Sequence, residues 1–196
     1  LVVGTCTAGR TNAFADNWMP ILEWGSEFSA KWASLSDSQV NEGIRDPIKV
    51  YEYMNKFYVL EGNKRVSVLK YFKAVTVNAQ VIRKIPKKSD DPDVKIYYEF
   101  MDFYKATKLN DIYFSKEGSF TTLMDLVGIE PGKVMDEEAK KDLVSSYLNF
   151  RTAYESRGGD RFDFPVGDAY LRFIHIHGYD NVKHMTSDEM DKNVAK

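Results

Sequence analysis

The fold is decided by DPIKVYEYMNKFYVLEGNKRVSVLKYFKAVTVNAQVIR, residues 46–83. Pro47 leads an alternating run, Ile48-Lys49-Val50-Tyr51, which has the two-residue period of a half-buried strand. Met54-Asn55-Lys56 reads as a turn. Phe57-Tyr58-Val59-Leu60 is more continuously apolar, the pattern of a strand buried in a sheet. Gly62 ends that strand, and Val66, Val68, Leu69, Tyr71 and Phe72 fit a short helix. Alternation resumes from Thr76 to Arg83, which predicts a third strand. Two strands, a helix and a strand within this span predict a small sheet of the α/β (α+β) class.

Outward toward the N-terminus, Phe28, Trp32 and Leu35 have helical spacing, with Ser26 as N-cap and Gly43 as the stop. Toward the C-terminus, residues 84–93 (KIPKKSDDPD) form a Pro- and charge-rich linker. The predicted domains are therefore 1–88, an α/β unit, and 89–196, mostly helical. In the second, Ile96, Tyr97, Phe100, Met101 and Tyr104 form one helical stripe of the kind that packs a core. Further helices are predicted near 120–127, 136–154 and 167–177. Thr186 or Ser187, with Glu189, opens another just before the chain ends. The chain starts on Leu1 rather than Met, so a domain within a longer protein is expected.

No run reaches the roughly 20 apolar residues of a membrane span. Residues 1–9 lack the basic flank and the length of a secretory signal. Cys6 is the single cysteine, which excludes an internal disulfide framework and a multi-cysteine zinc site. A reducing, cytoplasmic setting and a buried Cys6 thiol are expected. His175 and His177 lie two apart, on different helix faces, so with His184 they do not make a metal site.

The net charge is −2, but it is unevenly spread. Residues 1–48 hold three Lys/Arg against six Asp/Glu, residues 49–88 ten against two, and residues 89–196 fourteen against twenty-one. A basic island in an acidic chain suits an anionic ligand: nucleotide, phosphate or nucleic acid. Solvated faces of strands and helices would give the same count.

The chemistry concentrates in Glu61-Gly62-Asn63-Lys64-Arg65. A strand runs into a helix through a glycine, leaving the unpaired N–H groups of the helix's first turn beside Lys64 and Arg65. Cations there oppose the helix dipole, and a bound anion would remove the conflict. The alternative is an ordinary strand-to-helix turn with exposed cations. Residues 121–138 have a loose helix-turn-helix spacing. Pro131, Gly132 and the acids at 136–138 weigh against it, so the 49–88 block is the better surface for DNA.

Residues 41–83 resemble the core of ParB-like N-terminal domains of the ParB/sulfiredoxin superfamily. In those domains a helix-ending Gly leads to Pro-Ile and a strand. The next strand ends in Gly-Glu-Arg-Arg, followed by a short helix and a third strand. Gly62 stands at the motif glycine and Arg65 at its last arginine, which the resemblance makes a phosphate ligand. Asn63 and Lys64 replace Glu and Arg. Sulfiredoxin chemistry needs a cysteine where Asn63 stands, so reductase activity is not expected. The resemblance implies a nucleotide- or phosphate-binding module, DNA-associated or regulatory, with a nucleoside triphosphate and Mg²⁺ as the expected ligand. An alternative is a nucleotide-dependent hydrolase, kinase or nuclease, for which Glu61 and Glu42 are the available carboxylates. A scaffold with a relic site is the third reading.

Overall fold

A computed structural model describes residues 2–21, 23–130 and 132–195. The chain divides into two compact units, residues 1–87 and 88–196.

The first unit is mixed α/β. Its elements are β1 (Val2–Thr5), a 3-10 turn (Ala8–Arg10), α1 (Glu27–Asn41), β2 (Ile48–Tyr53), β3 (Lys56–Glu61), α2 (Asn63–Tyr71) and β4 (Ala79–Arg83). The four strands form one sheet in the order β1-β3-β2-β4. β2 and β3 are an antiparallel hairpin, while β1 runs parallel to β3 and β4 parallel to β2. The hairpin turn is shorter than the sequence indicates: Met54 and Asn55 both have positive φ, 49° and 62°, and Lys56 already pairs with Tyr53. Two left-handed residues match the right-handed strand twist, which is why two suffice.

Ser26 caps α1 by accepting from the Ser29 N–H at 3.2 Å. At the other end the Glu42 and Gly43 N–H groups both donate to the Ser38 carbonyl, closing the helix where Gly43 was expected to stop it. Trp18, Ile48, Val50, Val59 and Val66 form the core, with Val2, Phe14, Phe57 and Val77 packed around them. Glu52 is fully buried and pairs through Oε2 with Arg83 Nε at 2.6 Å, while its Oε1 accepts from the Asn55 N–H.

Three expectations need correction. Val2–Thr5 is a fourth strand, legible only as a short apolar run because its pairing with β3 is non-local. The last strand starts at Ala79 rather than Thr76, and β4 is an edge strand with Val81 and Ile82 nearly half exposed. Cys6 is exposed rather than buried, because it lies just past the end of β1 and only its backbone N–H is engaged, donating to the Val59 carbonyl.

The second unit is helical: α3 (Pro92–Thr107), α4 (Ser119–Val127), α5 (Glu137–Ser156), α6 (Val166–His177), α7 (Tyr179–Val182) and α8 (Ser187–Val194). Asp91 caps α3 ahead of Pro92, and Asp136 caps α5. The Ile96–Tyr104 stripe feeds a core of Tyr97, Phe100, Phe103, Phe120, Leu123, Leu143, Tyr170 and Ile174. Phe114 meets Phe120 edge-on at 4.7 Å between centroids. Among the described residues, which leave out Pro131, the helix-turn-helix spacing yields no recognition helix: α4 ends at Val127 and the next helix starts at Glu137. The Thr186–Glu189 capping box opens α8 as the sequence predicts.

Candidate functional site

β1 and β3 are adjacent and parallel, so the chain leaves both at the same edge of the sheet. From β1 it enters the 3-10 turn; from β3 it enters α2. Thr7 ties the two exits together, its hydroxyl donating to the Leu60 carbonyl at 2.9 Å. The carboxyl edge of parallel strands, where helices begin, is where open α/β sheets place ligands.

Gly62 is the N-cap of α2, with φ +98°. A Cβ on it would lie 2.7 Å from Ile48 Cγ2. Its need for glycine is therefore met first by the close approach of α2's start to β2. The first turn of α2 has no side-chain cap and no acidic residue, only Asn63, Lys64 and Arg65. The helix begins at Asn63, three residues before the apolar pattern shows it.

The three side chains of the helix's first turn do different things. Asn63 is 8% exposed, and its Oδ1 is buried without a hydrogen-bond partner among the described residues. A buried unpaired polar oxygen costs roughly 1–3 kcal/mol, which a ligand or water donor would relieve. Arg65 is turned back on the fold: Nη1 donates to the Asp46 and Pro47 carbonyls at 3.2 and 2.5 Å. It thereby fixes the chain entering β2. Lys64 holds its Nζ 4.5 Å from the centre of the Phe28 ring on α1.

Arg10 occupies the same ring, with Cζ 5.5 Å from its centroid. Arg10 opens the run Arg10-Thr11-Asn12 after Gly9, which the sequence offers as a second polar loop for the site; it is thus brought to α2, and Phe28 becomes the shared floor of two cations. Lys31, one turn on from Phe28, adds a third and pairs with Glu27. Partial burial is the main cause that pulls the Lys64 ammonium below its usual value of 10.5; Arg10 and Lys31 add to it and Glu27 opposes. Three cations against one carboxylate, beside an uncapped helix N-terminus, form a site that favours an anion. Phe28 and Lys31 were not identified as site residues from the sequence. The available signal was Lys31 at i+3 from Phe28 on a helix that starts with Ser26.

The two carboxylates fare differently. Glu61 is exposed and bridges to Lys49 across the hairpin at 2.8 Å, and that lysine holds its carboxyl below the usual range. Glu42 is the C-cap of α1, about 20 Å along the helix from Phe28. Among the described residues no three His, Cys, Asp or Glu side chains are grouped to hold a metal. No helix there is long and apolar enough to cross a membrane.

No family model, no curated protein and no solved structure matches this chain.

Proposed function

We propose that residues 1–87 are a phosphate-binding module, taking a nucleotide or another phosphate ester at the start of α2. The observation that carries this reading is the uncapped first turn of α2, with Lys64 and Arg10 converging on Phe28. Without an anion, a site of this kind holds like charges together against a helix dipole; an anion adds an attraction to each cation and to the dipole that offsets those repulsions. The unpartnered Asn63 oxygen adds a place for a ligand hydroxyl or amino group. The ParB-like resemblance of residues 41–83 supports a nucleoside triphosphate with Mg²⁺ as the ligand and a regulatory, DNA-associated role. The division of labour proposed here differs from the resemblance: Lys64 and Arg10 meet the phosphate, and Arg65 positions the turn.

Turnover is the lesser reading. A general base works best with its pKa near the operating pH, and Lys49 moves Glu61 the other way.

The test is a thermal-shift panel of ATP, ADP, CTP, GTP and inorganic phosphate, with and without Mg²⁺. Wild type is compared with Lys64→Met, Arg10→Met and Arg65→Ala. A ligand at about 100 times its Kd adds roughly 2.7 kcal/mol. The expected result is a shift for at least one ligand, lost in Lys64→Met and Arg10→Met and retained in Arg65→Ala from a lower starting Tm. No shift at millimolar concentration of any ligand would remove the module reading. Release of a nucleoside diphosphate that stops in Glu61→Ala would replace it with the enzyme.

A further inference from the structure

The sheet of residues 1–87 carries its helical packing on one face. Val50 and Val59 share a core with Val66 of α2. By strand alternation Lys49, Tyr51 and Tyr53 of β2 therefore stand on the opposite face. The register sets Tyr58 of β3 beside Tyr51, Lys56 beside Tyr53, and Ile82 of β4 on the other flank of Tyr51. Tyr53 and Ile82 are 43% and 45% exposed, and Tyr51 and Tyr58 are half-buried. On β1 the residue opposite Tyr58 is Gly4, where a Cβ would lie 3.6 Å from Tyr58 Cδ1. The bare glycine puts no side chain against that ring from β1. Around the tyrosines stand three lysines: Lys56, exposed; Lys84, with Nζ 4.7 Å from the Tyr51 ring centroid; and Lys49, bridged to Glu61.

Tyrosine suits any half-exposed strand, and cross-strand aromatic neighbours stabilise sheets. Strand propensity accounts for neither the surrounding lysines nor the glycine beside Tyr58. Together they combine part-exposed rings with cations beside them and, for Lys84, over the Tyr51 ring, the two components of a surface for single-stranded nucleic acid; Lys84 swinging from that ring to a phosphate frees Tyr51 for a base. Alternate rings along β2 are about 7 Å apart. That is roughly twice the 3.4 Å stacking repeat of a duplex strand, so the surface fits bases that are already unstacked.

We propose that this open face binds single-stranded nucleic acid, with bases on Tyr51, Tyr53 and Tyr58 and phosphates on Lys49, Lys56 and Lys84. The proposal does not depend on the α2 site, which lies at the edge of the sheet.

Fluorescence anisotropy with a labelled thymidine oligonucleotide, against a duplex of the same length, tests it on the whole chain. The single strand is expected to bind more tightly than the duplex. Two or three lysine–phosphate contacts should weaken its binding about 7- to 20-fold between about 50 and 200 mM salt. Tyr51→Ala and Tyr58→Ala should each weaken it at least about fivefold, while Tyr51→Phe and Tyr58→Phe keep the ring and the affinity. Lys64→Met should leave it unchanged, which separates this surface from the phosphate site. Circular dichroism melting identifies any variant that fails to fold. If the alanine variants do not fold, Lys56→Glu and Lys84→Glu carry the test and must weaken binding more than about threefold. Absence of single-strand binding at low salt, equal affinity for duplex, or folded ring-removing or charge-reversing variants with unchanged affinity would overturn the proposal.

Discussion

At position 62, conformation and space make the same demand. The backbone sits at φ +98°, and the Ile48 side chain occupies the place of a Cβ. Gly62→Ala should cost at least about 2 kcal/mol from the left-handed conformation and the forced movement of Ile48 together, measurable by urea unfolding. Gly9→Ala is the control: nothing lies within 4 Å of its Cβ position, so stability should stay within about 0.5 kcal/mol. Lys64 gives a prediction in pH. Its value is lowered in the folded protein, so the free protein is penalised while the ammonium is charged and gains stability as pH rises toward 10.5. The proposed phosphate binding needs the charged form and should weaken through the same alkaline window. Both slopes, taken as wild type minus Lys64→Met, should have these opposite signs; parallel slopes would mean that Lys64 does not face the ligand.

At the level of elements, α1 and α2 are joined by one buried serine. Ser67 is fully buried; its hydroxyl accepts from Trp32 Nε1 at 2.9 Å and donates to the Trp18 carbonyl at 2.6 Å. This relay fixes α1 against α2 and holds the 12–21 segment over both. It also sets the positions of Phe28 and Lys31 relative to Lys64, since Phe28 lies one turn before Trp32. Ser67→Ala leaves a tryptophan N–H and a backbone carbonyl without their partner and should cost about 1–3 kcal/mol. Because the relay positions the site, the ligand-induced thermal shift should shrink as well. A variant that melts lower yet keeps the full shift would show that the helices hold their registry without it. Two helix starts were legible in advance: Ser26 and Thr186 are cap residues, and each has its helix beginning one residue later. Asp136 caps α5 in the same way, and Asp91 caps α3 from inside the charge-rich run 84–93 that reads as linker, so α3 takes the last two residues of that run. The strands were less legible. β2 and β3 declare themselves by alternation and a turn, whereas β1 is four residues whose identity as a strand rests on a partner more than fifty positions away.

For the whole molecule, the segment between β4 and α3 has no regular structure, and all its residues from Lys84 to Asp91 except Pro86 are exposed. Limited trypsin digestion should cut first after Lys84, Lys87 or Lys88 and yield two resistant fragments. Early cleavage inside α5 or α2 instead would contradict the division into two units. The charge asymmetry follows that division. Residues 1–87 hold twelve Lys/Arg against eight Asp/Glu, and residues 88–196 hold fifteen against twenty-one. The fragments should therefore bind ion exchangers of opposite sign at neutral pH.

Local sequence by itself determined the hairpin, the turn through Gly62, the helical second half and the position of the basic block. Each follows from periodicity, capping or composition within about a dozen residues. The tertiary structure decided what those features do. It turned Arg65 inward to two carbonyls, and it carried Arg10 across fifty residues of sequence to share Phe28 with Lys64. It also aligned Tyr51, Tyr58 and Gly4 from three strands on one open face. The physical reason is common to all three. A cation's partner, and the side of a sheet that a ring faces, are set by strand register and helix packing, which join residues far apart in the chain.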